Sequence, residues 1–104
     1  MTGSTLSTHV LDVTTGAPAA GATVELYRDD QLVGTDATDE DGRIAKLGAE
    51  LAPGRYRLVF DTASYFTDRA PFLVRVTLDV DLPVGHSHVP LLVSPFSCVS
   101  YRGR

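Results

Sequence analysis

The stretch Phe72-Leu73-Val74-Arg75-Val76-Thr77-Leu78-Asp79-Val80 decides the fold class. Phe72, Val74, Val76, Leu78 and Val80 fall on one parity, and Leu73, Arg75, Thr77 and Asp79 on the other. Alternation with period two is the mark of a half-buried β-strand, since successive side chains leave a pleated strand on opposite faces. The same pattern recurs outward in both directions, broken at short intervals by turn residues. Upstream, strands are expected at 6–13, 22–28, 32–38, 43–47 and 55–61. Downstream, 88–94 and 96–103 read as strands bent at Pro95. Turns fall at 14–18, where Gly16 and Pro18 interrupt the first strand, at Asp29-Asp30, at 38–42, at Pro53-Gly54 and at 83–85. Residues 62–68 lack alternation, and Asp61 or Thr62 is suited to cap a short helix there, ending before Pro71. The expectation is an all-β, two-sheet sandwich of eight strands with one short helix, a single domain over residues 1–104.

Composition excludes several function classes. The 104 residues carry a net charge of −4, with a sequence pI near 5.1. Nucleic-acid binding therefore lacks its usual basic footprint. No apolar run approaches the roughly 20 residues of a membrane-spanning helix. The start of the chain has no basic stretch followed by an apolar segment, and its end is not a peroxisomal signal, so a cytoplasmic location is expected. Cys98, alone, builds no internal disulfide and fits a reducing compartment. A chain this small has little room for a private, deep cavity, so a site shared between subunits is expected.

The residues able to do chemistry are few. Strand parity sets His9 with Ser7 and Leu11, opposite Leu6 and Val10. It sets His88 with Pro90 and Leu92, opposite Val89, Leu91 and Val93. Both histidines thus occupy an outer sheet face, where an imidazole is either surface decoration or part of a site. His86 and His88, two residues apart, share a face and with His9 would make a three-histidine metal set; the Gly85 turn weakens that geometry. Arg43 follows an acidic turn and reads either as a solvated ion pair with Asp39, Glu40 or Asp41 or as a site cation. Alternation through Val99, Tyr101 and Gly103 argues for a real strand at the end of the chain rather than a frayed tail.

Several segments, in order, resemble the 5-hydroxyisourate hydrolases, or transthyretin-related proteins. They are residues 6–12 (LSTHVLD), 16–21 (GAPAAG), 38–43 (TDEDGR), Phe60-Asp61-Thr62 with Tyr65-Phe66, residues 86–95 (HSHVPLLVSP) and Tyr101-Arg102-Gly103. The resemblance covers nearly the whole chain. It implies a transthyretin-like sandwich and a homotetramer whose sites lie in the channel between dimers. Leu11, Pro90, Leu92 and Val99 beside the histidines make that outer face too apolar for water alone. The implied reaction is hydrolytic opening of 5-hydroxyisourate in urate catabolism, giving 2-oxo-4-hydroxy-4-carboxy-5-ureidoimidazoline, with no cofactor and no metal. His9, Arg43 and His88 match the family's catalytic positions, and Tyr101, Arg102 and Gly103 its closing, substrate-binding motif. Either His9 or His88 would serve as general base, with Arg43 meeting negative charge. The family's motif ends in serine; this chain has Arg104, onto which no role is carried. The alternatives are a transthyretin-like carrier of a small ligand without catalysis, and a structural sandwich module.

Overall fold

The computed structural model describes residues 2–68 and 70–103. Its strands are β1 (Ser4–Asp12), β2 (Ala17–Pro18), β3 (Thr23–Arg28), β4 (Gln31–Ala37), β5 (Arg43–Ile44), β6 (Gly54–Phe60), β7 (Val76–Leu82), β8 (Gly85–Ser94) and β9 (Ser97–Ser100). One short helix, α1 (Thr62–Tyr65), follows β6. The all-β expectation holds, with nine strands among the described residues rather than eight. The addition is β2, two residues inside the turn at 14–18, pairing with Leu11 and Asp12 of β1.

Two sheets form the sandwich. One runs β2-β1-β8-β9 with β5 also on the edge of β1; the other runs β4-β3-β6-β7. All pairings are antiparallel except β1 with β8, which runs parallel from Ser4↔Gly85 to Asp12↔Val93. The parities read from the sequence set the burial. Leu6, Val10, Leu91 and Val93 from one sheet meet Val24, Leu26, Leu58 and Phe60 from the other, all nearly inaccessible to water. Along β1, Leu6, Thr8, Val10 and Asp12 are buried while Ser7, His9 and Leu11 are half-exposed, so the histidine face is the outer one.

The stretch that announced the fold begins its strand later than expected. Pairing with β6 ends at Phe60↔Val76, because the partner chain turns into α1 there. Residues 72–75 spend their backbone groups elsewhere. Phe72 and Leu73 N–H donate to the Pro95 carbonyl, while the Leu73 and Val74 carbonyls accept from Thr62 Oγ1 and Ala63 N–H. Phe72 and Val74 are accordingly exposed, at 82% and 57%. Asp61 caps α1, its carboxylate accepting from Ser64 N–H at 3.1 Å.

The last strand also departs from expectation. β9 pairs with β8 only as far as Leu91↔Ser100. The next position of β8 is Pro90, which has no N–H to donate, and the ladder stops opposite it. The chain rejoins in the same register at Gly103, bridged to His88, so the predicted strand 96–103 is interrupted at Tyr101 and Arg102.

Candidate functional site

Cross-strand register assembles the site from three separate stretches of sequence. Parallel pairing sets Ser7 of β1 beside His88 of β8 and Thr5 beside His86. Antiparallel pairing on the other edge of β1 sets Arg43 beside His9. Ser7, Thr8, Arg43, Ile44, Ala45, His86 and His88 line an open depression of about 330 Å³ on the outer face.

His88 is the best-anchored of these groups. Its Nδ1 lies 2.7 Å from Ser7 Oγ, and its carbonyl accepts from Gly103 N–H at 2.7 Å. Nε2 has no partner among the described residues, which leaves that nitrogen to the depression. Burial lowers its pKa first, and the positive charge of Arg43, then His9 and His86, lowers it further. The ring is therefore held neutral at pH 7 and able to accept a proton.

His9 is fixed differently. Its Nε2 lies 3.0 Å from the Asp41 carbonyl, which can only accept, so the proton sits on Nε2 and Nδ1 is the free acceptor of the neutral ring. The turn that supplies this carbonyl also sets Arg43. Asp39 Oδ1 accepts from the N–H groups of Asp41 and Arg43, both at 2.9 Å. Gly42, at φ +75°, passes its carbonyl to Val10 N–H at 2.7 Å. The Asp39 carboxylate is thus spent on backbone N–H groups, and the Arg43 guanidinium makes no ion pair with the acidic turn among the described residues. Arg43 remains exposed on the site side.

The closing motif divides. Gly103 packs directly on His88, with a Cβ built there falling 2.6 Å from the ring's Cδ2. Tyr101 and Arg102 instead line a second concavity of about 330 Å³ at the open edge between the sheets, with Leu78, Leu82 and Ser87 among its walls. Within one chain they do not reach the histidine depression. Arg104 lies outside the described residues. A larger concavity, about 520 Å³, lies over β6 and β7 among Asp29, Asp30, Arg55, Arg57, Asp79 and Asp81. It carries charges of both signs, with Arg57 and Asp79 paired at 2.9 Å, and neither histidine nor cysteine is among its lining residues. Size alone therefore does not locate the chemistry.

Of the polar groups in the depression, Ser7 was not singled out as a site residue in the sequence, and His86 was weighed there only as a metal ligand. His86 Nδ1 lies 2.7 Å from Thr5 Oγ1 and its Nε2 lies 2.8 Å from Ser7 Oγ. With both its nitrogens engaged, His86 is not disposed as a metal ligand, and no group of three His, Cys, Asp or Glu suited to a metal occurs among the described residues. The shared parity of Ser7 and His9 was readable, but the register that places Ser7 between two histidines was not.

A neutral, hydrogen-bonded imidazole, a second imidazole and a guanidinium on one open face suit hydrolysis of a small polar carbonyl compound. Comparison with known proteins agrees in kind. The model of the HIUase/Transthyretin family matches residues 6–103, and the chain belongs to that family. A relative from Pseudomonas aeruginosa named 5-hydroxyisourate hydrolase is 39% identical over 113 residues, covering 94% of this chain and 90% of its own. The structure of Klebsiella pneumoniae 5-hydroxyisourate hydrolase superposes with a TM-score of 0.92 at 39% identity, covering 97% of this chain and 99% of that one. Sea bream transthyretin in complex with thyroxine superposes with a TM-score of 0.85 at 31% identity, covering 94% of this chain and 93% of that one.

Proposed function

We propose that this chain is a 5-hydroxyisourate hydrolase of urate breakdown, with His88 as its general base. The observation that carries this reading is the state of His88, tied through Nδ1 to Ser7 and open at Nε2 beside Arg43. Water attacking the ring carbonyl gives its proton to Nε2. The oxygen that gains negative charge is met by the Arg43 guanidinium, which presents a planar fork of donors. Collapse of the tetrahedral intermediate breaks the ring C–N bond, and the departing nitrogen takes its proton back from Nε2. The product is 2-oxo-4-hydroxy-4-carboxy-5-ureidoimidazoline. His9, with Nε2 committed to Asp41, uses Nδ1 to orient water or substrate. No cofactor or metal is required by this sequence of steps.

The depression is open, and one chain closes it only in part. An apolar stripe runs beside it through Leu11, Leu92 and Val99, which the register aligns across β1, β8 and β9. Val99 is 60% exposed. These features support a homotetramer with sites between dimers, where a neighbouring copy brings further walls, Tyr101 and Arg102 included. Cys98, free and exposed, supports a reducing, cytoplasmic setting.

The test generates 5-hydroxyisourate from urate with urate oxidase and follows the decay of its absorbance. The wild-type chain accelerates the decay, and His88→Ala lowers kcat by ~10²–10⁴-fold, the usual worth of a positioned general base. A well-folded wild-type chain that binds the compound without turning it over identifies a carrier instead. A loss below about threefold in His88→Ala removes the assignment of the base.

A further inference from the structure

We propose that Ser7 and His86 form a proton relay that sets, and resets in each turnover, the protonation state of His88. The proposal rests on the hydrolase reading above and extends it to residues that reading leaves unused. Four polar groups make an unbroken line on the outer face. His88 Nδ1 lies 2.7 Å from Ser7 Oγ, Ser7 Oγ lies 2.8 Å from His86 Nε2, and His86 Nδ1 lies 2.7 Å from Thr5 Oγ1. Parallel register holds the line, since Thr5 and Ser7 of β1 stand beside His86 and His88 of β8. The inner end is half-buried and the outer end, at His86, is exposed to water.

Donor counting restricts the states of this line. The Ser7 hydroxyl has one hydrogen, so it cannot satisfy two bare ring nitrogens at once. In the resting polarity every donor points outward. His88 Nδ1–H donates to Ser7 Oγ, Ser7 O–H donates to His86 Nε2, and His86 Nδ1–H donates to Thr5 Oγ1. This polarity leaves a lone pair on His88 Nε2, which a general base needs. When Nε2 takes a proton from water, the Nδ1 proton moves to Ser7 and the Ser7 proton to His86 Nε2. His86 then releases its Nδ1 proton to solvent. One proton enters at His88 and one leaves at His86. The line now points inward, and His88 is a neutral ring with hydrogen on Nε2. As Nε2 gives that proton to the leaving nitrogen, His86 Nδ1 takes one from solvent, the His86 Nε2 proton moves to Ser7 and the Ser7 proton to His88 Nδ1, so that no imidazolate forms and the outward polarity is restored.

The electrostatics favour export of the proton. Arg43 of β5, His9 of β1 and His86 of its own strand face His88, and with its burial they disfavour an imidazolium there. His86 is the more solvated of the two ends. Ser7 and His86 are thus positioning residues that act through His88 without contacting substrate.

Two readouts test the relay. Long-range ¹H–¹⁵N spectra of the histidine rings above their titration range report tautomers without any need for activity. The wild type shows hydrogen on Nδ1 of both His88 and His86, and Ser7→Ala moves His88 to the Nε2–H form. Hydrogen on His88 Nε2 in both proteins overturns the relay. In steady-state assays, Ser7→Ala and His86→Ala each lower kcat about 10- to 100-fold, a part of the general-base contribution, with KM within about twofold. Ser7→Thr, which keeps the hydroxyl, retains activity, and free imidazole restores part of the loss in His86→Ala. Equal kcat in all variants, or a loss confined to KM, overturns the relay. A wild-type chain inert toward 5-hydroxyisourate overturns the hydrolase reading instead, while the ring tautomers still decide the relay.

Discussion

Replacing Gly103 with alanine drives a methyl group into the His88 imidazole. The Cβ would stand 2.6 Å from Cδ2 and 3.2 Å from both Cγ and the backbone oxygen of His88. Carbon atoms in good contact lie about 3.5–4.0 Å apart, so the ring or the tail must give by about 1 Å. The tail is held to His88 by its own N–H bond to the carbonyl at 2.7 Å, and the ring by Nδ1 to Ser7 Oγ at 2.7 Å. Turning the ring by 1 Å stretches the second bond beyond hydrogen-bonding distance. Displacement of about 1 Å in a catalytic group is able to cost ~10²-fold in rate. Gly103→Ala should therefore lower kcat by about 100-fold while lowering thermal stability by no more than about 1 kcal/mol, since few contacts depend on the tail. The assay is 5-hydroxyisourate decay together with a thermal melt and the His88 ring signals by NMR. A kcat within threefold of wild type, with unmoved His88 signals, would refute the reasoning.

Other outcomes follow from the same geometry. In Gly42→Ala the new methyl meets the Val10 carbonyl oxygen in a backbone at φ +75°. Left-handed strain of ~1–2 kcal/mol and a weakened bond to Val10 worth ~0.5–1.5 kcal/mol sum to about 1.5–3.5 kcal/mol, seen in urea titration as a lower midpoint at unchanged slope. Asp61→Ala removes the cap of α1 and should cost about 1 kcal/mol, a fall of about 4–8 °C in Tm by calorimetry. Because burial and then Arg43 lower the His88 pKa, the proton-accepting form persists below the ordinary histidine range. The acid limb of the kcat/KM profile should then fall below pH 6.5 and shift upward in Arg43→Gln; a limb above the ordinary value in the wild type would contradict this assignment. Leu91→Ala, at a position with no exposure, should cost ~2–5 kcal/mol in the same urea titration.

Parity was the part of this molecule most legible in sequence. It placed Leu6 and Val10 inward and His9 outward, and the structure agrees. Strand ends were less legible, because a strand ends where its partner leaves, and the partner is nowhere local. Phe72 and Val74 keep perfect alternation yet stay exposed, since β6 has already turned into α1. Tyr101 and Arg102 depart from the ladder because of Pro90, eleven residues or more before them and legible as a breaker only once the register is known. The site showed the same division. His9, Arg43 and His88 stood out by residue type and resemblance. Ser7 and His86 gained meaning only from the alignment of β1 with β8, which brings together residues about eighty positions apart.

That alignment has a consequence for biosynthesis. The pairing of β1 with β8 joins Ser4 to Gly85 and Asp12 to Val93, stretches about eighty residues apart. Such distant contacts close large loops before they gain anything in return, and sandwiches dominated by them fold in milliseconds to seconds rather than microseconds. On a translating ribosome β1 must therefore wait, its partner still untranslated or inside the exit tunnel. The proposed site residues come into register only once β8 has left the exit tunnel, so a product terminated before β8 would carry His9 and Arg43 but never the face they share with His88.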